Sequence, residues 1–276
     1  EQRQRFLPPI IRGETQLALG LTEPDSGSDA AALRTRAVRQ GDRYILNGAK
    51  MFCSRAHIAD YILVAARTDT SVAKHKGISL FLVPTDQPGV QVSLLKKLGI
   101  KAIGTCEVAL VDAEVPVENR LGEENEGWPS LLTCLAMERF YLAAMCTGAL
   151  ADVLDLATDY AKEREQFGRP IGQFQAIQHK LADIYTDLQA ARLLTYQTVW
   201  HTEQGNLDPK LGSAAKLFCS EAYMRGAMQG MQIMGGYGYM MEFHMQRHFR
   251  DAKLMEIGGG TSEIHRSVIG ARLVAD

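Results

Sequence analysis

Between residues 16 and 117 short β-branched and aromatic runs alternate with turn residues, and no long helical period interrupts them. Arg36-Ala37-Val38 and Tyr44-Ile45-Leu46 flank Gly41-Asp42 as a hairpin candidate, and Asn47-Gly48 follows as a second turn signal. Further strands are predicted over 60–66, 78–83, 90–94 and 106–111. Many short strands with close turns predict an antiparallel barrel or sandwich. After Pro116 the pattern changes. A polar, glycine-containing loop at 123–127 leads into helical periods over 128–164, 173–204 and 209–234, with a short last helix from 261. Asp208-Pro209 is a start signal, a capping acceptor followed by proline at the first helical position. Long helices with short connections predict a bundle. The expected fold class is α+β multidomain. Residues 1–15 are a linker, 16–120 an antiparallel β-barrel or sandwich domain, and 121–276 a four-helix-bundle-like α domain.

A length of 276 residues accommodates two such domains. A net charge of −2 offers no field for nucleic acid and no polybasic membrane anchor. Five scattered cysteines (Cys53, Cys106, Cys134, Cys146, Cys219) read as buried thiols in a reducing compartment. The seven histidines show no metal spacing, so no metal centre is expected and none is assigned a role. Over residues 131–151 only Glu138 and Arg139 are charged, in a stretch nearly long enough to span a bilayer. Two adjacent charges near its middle would be costly in lipid, so a buried helix of a soluble bundle is the reading. No signal peptide is visible, and the charged, proline-containing opening suggests that residues once preceded Glu1.

Gly258-Gly259-Gly260-Thr261 precedes the final helix and carries no side-chain chemistry at its three glycines. Leu21-Thr22-Glu23-Pro24-Asp25-Ser26-Gly27-Ser28-Asp29 is rich in hydroxyls and glycine. From its composition it is either a surface turn or a loop able to donate hydrogen bonds to an anionic or heteroaromatic ligand. That loop is similar to the TEPxxGSD signature of the acyl-CoA dehydrogenases, and Lys50-Met51-Phe52-Cys53-Ser54 follows at the distance usual in that family. Arg164-Glu165-Gln166-Phe167-Gly168, Gln175, Gln232-Ile233-Met234-Gly235-Gly236-Tyr237-Gly238 and Arg250-Asp251-Ala252-Lys253 extend the resemblance across nearly the whole chain, in order.

The resemblance implies FAD as cofactor. Leu21, Thr22 and Ser28 match positions lining the flavin, with Ser28 also near the acyl-CoA. Phe52 stands where many members have a tryptophan against the isoalloxazine, and Ser54 keeps the hydroxyl found near flavin N5, with Cys53 between them. Arg164, Gln166 and Phe167 match residues that reach the FAD of a neighbouring subunit. Phe174, Gln175, Gln232, Gly235 and Gly236 match others around adenine and pyrophosphate. Thr261 and Glu263 are placed near the cofactor, and Arg139, Gly259 and Gly260 near the thioester. The implied assembly is a homotetramer, a dimer of dimers sharing FAD across subunits. It would act on an acyl-CoA, with an electron-transfer flavoprotein as acceptor, in a bacterial cytoplasm or a mitochondrial matrix. The family's N-terminal helical domain has no counterpart in these residues.

In many members the catalytic carboxylate stands at the position of Gly259. Glu138 is the expected base instead, since an isolated carboxylate in an apolar helix needs a partner or a purpose. Isovaleryl-CoA and long-chain acyl-CoA dehydrogenases resemble this chain in pairing that glycine with a glutamate at the Glu138 position. Burial would raise the carboxyl's pKa and a nearby cation would lower it, and the sequence leaves the winner open. The other reading of Glu138 is a buried ion pair. Glycine at 259 is also expected to leave room for branched or bulky acyl groups. An acyl-CoA oxidase, or a flavin-binding relative that does not dehydrogenate, are the rival functions.

Overall fold

The computed structural model describes residues 1–275, and these divide into two compact units. The first comprises residues 1–97 and 101–133, the second residues 98–100 and the described residues from 134 onward. Helix α1 (Gln2–Ile11) occupies most of the stretch expected as a linker. It is ordered because Phe6 meets Tyr61 edge-on at 5.4 Å, while the Gln2 amide donates to the Glu118 and Arg120 carbonyls at 2.7 Å each.

The strands of the first unit are β1 (Leu17–Gly20), β2 (Arg36–Gln40), β3 (Arg43–Ser54), β4 (Tyr61–Arg67), β5 (Ile78–Pro84), β6 (Val90–Leu94), β7 (Thr105–Pro116) and β8 (Arg120–Leu121). They form one sheet in the order β6-β7-β3-β2-β4-β5-β8, with β1 added beside β4. Alternation sends Tyr44 and Leu46 of β3, Ile62 and Val64 of β4, and Val108 and Leu110 of β7 into a single core. Ala18 of β1 and Val90 of β6 enter that same core, so the sheet folds around it. Two corrections to the sequence reading follow. The sheet is mixed, because β1 runs parallel to β4 in register from Leu17↔Tyr61 to Gly20↔Val64.

Asn47-Gly48 is no turn but the interior of β3, where the pairing with β7 slips. The turn residues make a bulge there. Asn47 and Asp112 exchange hydrogen bonds at 2.9 Å across it, and a Cβ at Gly48 would stand 2.8 Å from Thr35 Cα. Only glycine fits that approach.

The second unit is helical. It contains most of α2 (Gly127–Glu163), then a two-residue hairpin pair β9 (Glu165–Gln166) and β10 (Arg169–Pro170). α3 (Gln175–Glu203), α4 (Pro209–Met234), α5 (Gly236–Tyr239), α6 (Met245–Met255) and α7 (Ser262–Ala275) follow. The Asp208 side chain accepts from Lys210 N at 2.8 Å with Pro209 at the first position, as its sequence suggested. Ala143, Cys146, Leu150, Val153, Ala157 and Ala161 form the buried stripe of α2 at helical spacing. It packs with Ile184, Leu188 and Ala191 of α3, residues of α4 from Ala215 to Met234, and Met245, Ala252 and Met255 of α6. Helix α6 completes the core and was not foreseen in the pattern.

Helix α2 is long and apolar enough to cross a membrane by length and composition, yet only 28% of its apolar window is buried. The expectation of a buried helix therefore holds for one stripe. Tyr141 and Met145 are exposed. Cys134 is likewise exposed, against the expectation of five buried thiols, while the other four are buried and free.

Candidate active site

In the first unit the hydroxyl-rich loop is fastened from beneath by a buried ion pair. Lys50 of β3 is fully buried, and its Nζ donates to Glu23 Oε1 at 2.8 Å and to the Leu21 carbonyl at 3.2 Å. Glu23 also accepts from Arg34 N at 2.6 Å and Thr35 N at 2.9 Å. Burial alone would push the Glu23 carboxyl up. The Lys50 charge and these hydrogen bonds outweigh it, and its pKa lies below the ordinary range. Met51 N closes the join by donating to the Thr22 carbonyl at 2.7 Å.

Beyond this join β3 carries a second bulge between Lys50 and Cys53. Phe52 stands there at φ +59°, and the residue is 63% exposed. A bulky residue in left-handed backbone is strained, and such strain marks functional segments. Ser54 and Ser28 are exposed and Thr22 half-buried, and none of the three side chains hydrogen-bonds within the described residues. Cys53 differs from its neighbours. Its thiol faces the β core, where burial pushes its pKa up to about 12, so only its backbone can meet a ligand. An exposed aromatic face beside free hydroxyls and backbone suits a heteroaromatic group rich in nitrogen and oxygen acceptors.

In the second unit the glycine run joins α6 to α7, with Gly259 at φ +64° and Gly260 at φ +96°. A Cβ placed on Gly259 would overlap Leu142 Cδ1 and would lie 3.6 Å from Glu138 Cδ and 3.7 Å from Glu138 Oε1. The Glu138 carboxyl, reaching from α2, thus lies in van der Waals contact with the place where a side chain on residue 259 would begin. Leu142 Cδ1 occupies the direction that a Cβ on residue 259 would take, so the glycine leaves no free space on that side.

Glu138 makes no ion pair or hydrogen bond among the described residues. Burial raises its pKa above the ordinary 4.5, outweighing Lys216 and Arg139, which lower it. The balance left open by the sequence thus falls to burial. Arg139, next along α2, rests its Cβ and Cδ 3.9 Å from where a Gly212 Cβ would stand.

Two residues the sequence reading passed over hold the run. Lys216 of α4 is buried and donates from Nζ to the Gly260 carbonyl at 2.7 Å. His265 of α7 is buried, with Nε2 3.2 Å from the Gly259 carbonyl. That contact requires the Nε2–H tautomer. Thr261 accepts from Ile264 N at 3.3 Å as a cap of α7, and Glu263 is exposed beside it.

A separate cluster gathers around the β9–β10 hairpin. Phe167 lies at its tip, at φ +54° and 94% exposed, and meets Phe174 edge-on at 6.1 Å. The Arg164 guanidinium lies 5.5 Å from the Tyr237 ring, which ties the hairpin to the turn holding Gly235 and Gly236. Gln166, Gln175 and Gln232 are exposed. The second unit therefore holds two separate groups of candidate residues, one at the glycine run and one at the hairpin. Among the described residues no His, Cys, Asp and Glu cluster could hold a metal ion.

Two family models match the chain, the acyl-CoA dehydrogenase middle domain over residues 18–113 and its C-terminal domain over residues 125–274. The chain is 42% identical to a mitochondrial 2-methylacyl-CoA dehydrogenase of Solanum tuberosum over 99% of its own length and 66% of the relative's. It is also 42% identical to a mitochondrial isovaleryl-CoA dehydrogenase of Oryza sativa, with the same coverages. An acyl-CoA dehydrogenase structure from Geobacillus kaustophilus superposes with a TM-score of 0.97 at 37% identity, covering 99% of this chain and 72% of the other. The chain thus spans slightly under two thirds of the length of these plant relatives.

Proposed function

This chain belongs to the acyl-CoA dehydrogenase family, and from that premise we propose that it takes part in FAD-dependent α,β-dehydrogenation of an acyl-CoA thioester, with Glu138 as the base. The observation that carries this reading is the position of the Glu138 carboxyl, 3.6 Å from where a Cβ on Gly259 would be. A carboxylate delivered from α2 reaches the place that residue 259 would otherwise serve.

Bound FAD would supply a two-electron acceptor for the β-hydride. Leu21, Thr22, Ser28, Phe52 and Ser54 would hold its flavin, using the free hydroxyls and the exposed ring described above. Arg164, Gln166, Phe167, Phe174, Gln175, Gln232, Gly235 and Gly236 would hold a nucleotide portion. An arginine fork and glycine backbone suit pyrophosphate. The almost fully exposed Phe167 supports a site completed by a second copy, in a homotetramer.

Glu138 takes the α proton. Its raised pKa strengthens it as a base, and it must be ionised to act. The thioester carbonyl needs hydrogen-bond donors as enolate charge develops. The 2-methylacyl and isovaleryl relatives favour short branched acyl groups as substrates, with an electron-transfer flavoprotein as acceptor.

The test is an anaerobic titration of the flavin-loaded protein with straight, branched and aromatic thioesters. Bleaching of the flavin band by a branched acyl-CoA is expected, and no bleaching by any thioester would sink the reading. Turnover in air separates the acceptors, since brisk peroxide formation without added acceptor would assign an oxidase.

A further inference from the structure

Lys216 is a buried cation that the proposed chemistry does not use. Its side chain makes one hydrogen bond, to the Gly260 carbonyl at 2.7 Å. The titratable groups that act on it are Glu138 and Cys146 on α2, Glu221 on its own helix, Glu256 at the end of α6 and His265 on α7, with Arg139 of α2 acting on Glu138 and His265. Most of these are spoken for or neutral. Glu256 pairs with Lys253 at 2.7 Å, and Glu221 with Arg266 at 2.7 Å. Burial pushes the Cys146 thiol up to about 12. Burial, then the charges of Lys216 and Arg139, push the His265 imidazole down to about 4. Glu138 is the one acid of the set with no partner of its own among the described residues.

We propose that Lys216 is a positioning residue for the base: it clamps the Gly260 carbonyl, so that the run keeps its left-handed backbone against Glu138, and its ammonium stabilises the Glu138 carboxylate through space. The inference rests on the reading of Glu138 as the base. His265 is the second point of the clamp, with Nε2–H on the Gly259 carbonyl. It holds that bond as a neutral ring, so it adds no second positive charge. Two adjacent carbonyls are thereby fixed by two helices, α4 and α7, beside the carboxyl carried by α2. The ammonium works against burial, which pushes Lys216 down to about 8. The charge that stabilises Glu138 is therefore itself lost in mildly alkaline solution.

The experiment compares wild type with Lys216→Met, Lys216→Arg and Glu138→Gln. Infrared difference titration, using Glu138→Gln as the blank and no thioester, reads the protonation of Glu138 directly. In Lys216→Met the Glu138 midpoint moves up by about one pH unit or more, a tenfold weaker acid, and in Lys216→Arg it returns toward wild type. The acid limb of the flavin-reduction rate moves with it. An unmoved Glu138 midpoint in a folded Lys216→Met protein overturns the proposal.

The reciprocal measurement needs no change at residue 216. In Glu138→Gln the Lys216 ammonium, titrating near 8 in wild type, must titrate lower by nitrogen-detected NMR, and an unchanged value also overturns it. Failure of the base reading is separate. It would show as normal flavin reduction by Glu138→Gln, while the two titrations still report whether Lys216 and Glu138 are coupled.

Discussion

Replacing Gly259 by alanine probes why that position is glycine. The backbone there has φ +64°, and the new Cβ would overlap Leu142 Cδ1, far inside the ~3.5–4.0 Å of ordinary carbon contact. Holding alanine in left-handed backbone costs roughly 1–2 kcal/mol. Forcing a methyl into a filled space costs about 1–3 kcal/mol more, and Leu142, being only half-buried, can yield part of that. Gly259→Ala is therefore expected to lose roughly 2–5 kcal/mol in urea unfolding. Gly122→Ala is the control. It has φ +71° with nothing within 4 Å of the new methyl, so it should lose only the backbone share. In a Leu142→Ala background the cost of Gly259→Ala should fall to that same share, so that the double mutant loses less than the two single mutants added together. Equal losses for Gly259→Ala and Gly122→Ala, with no coupling to Leu142, would refute the claim that side chains from α2 fill the space of residue 259.

Three further outcomes follow from the geometry. Lys50→Met leaves Glu23 buried without its cation and should cost about 3–5 kcal/mol in chemical denaturation, whereas a loss below 1 kcal/mol would mean the pair does not hold the loop. Glu23 titrates below its ordinary 4.5 in the fold, so its stabilisation is present above that value and disappears as pH falls through the lower folded one. In Lys50→Met the folded pKa of Glu23 rises, so this share of the acid loss should shrink, and the pH dependence of urea unfolding would detect it. The rate of flavin reduction should fall as pH drops through an apparent pKa above 4.5, because Glu138 must be ionised and its pKa is raised; a limb at or below 4.5 would contradict this. Gly48→Ala should cost more than 2 kcal/mol, since the new methyl would press on the Thr35 backbone, and thermal melting would show whether it does.

The order from β2 to β7 and of α2, α3, α4 and α7 was legible because apolar runs, turn residues and helical period mark those elements, whereas α1, β1 and α6 were not foreseen. Asn47-Gly48 misled because the residues that make a tight turn also make a bulge, and only the partner strand decides between them. Glu138 could be found in the sequence because a lone carboxylate in an apolar run is costly. Lys216 and His265 could not. Each sits in an ordinary helical period, and their importance comes from aiming at carbonyls more than 40 residues away for Lys216 and only six for His265. Glu23 and Lys50 were quoted inside motifs, yet their pairing is a tertiary fact across 27 residues. The approach of Leu142 to the Cβ direction of Gly259 is likewise a tertiary fact, since it comes from another helix.

The central claim is that the base comes from α2. The direct measurement is an anaerobic titration of flavin-loaded Glu138→Gln with an acyl-CoA that bleaches the wild type. The variant should bind FAD and thioester as the wild type does and leave the flavin band unbleached. Bleaching at the wild-type rate would show that the proton goes to another group.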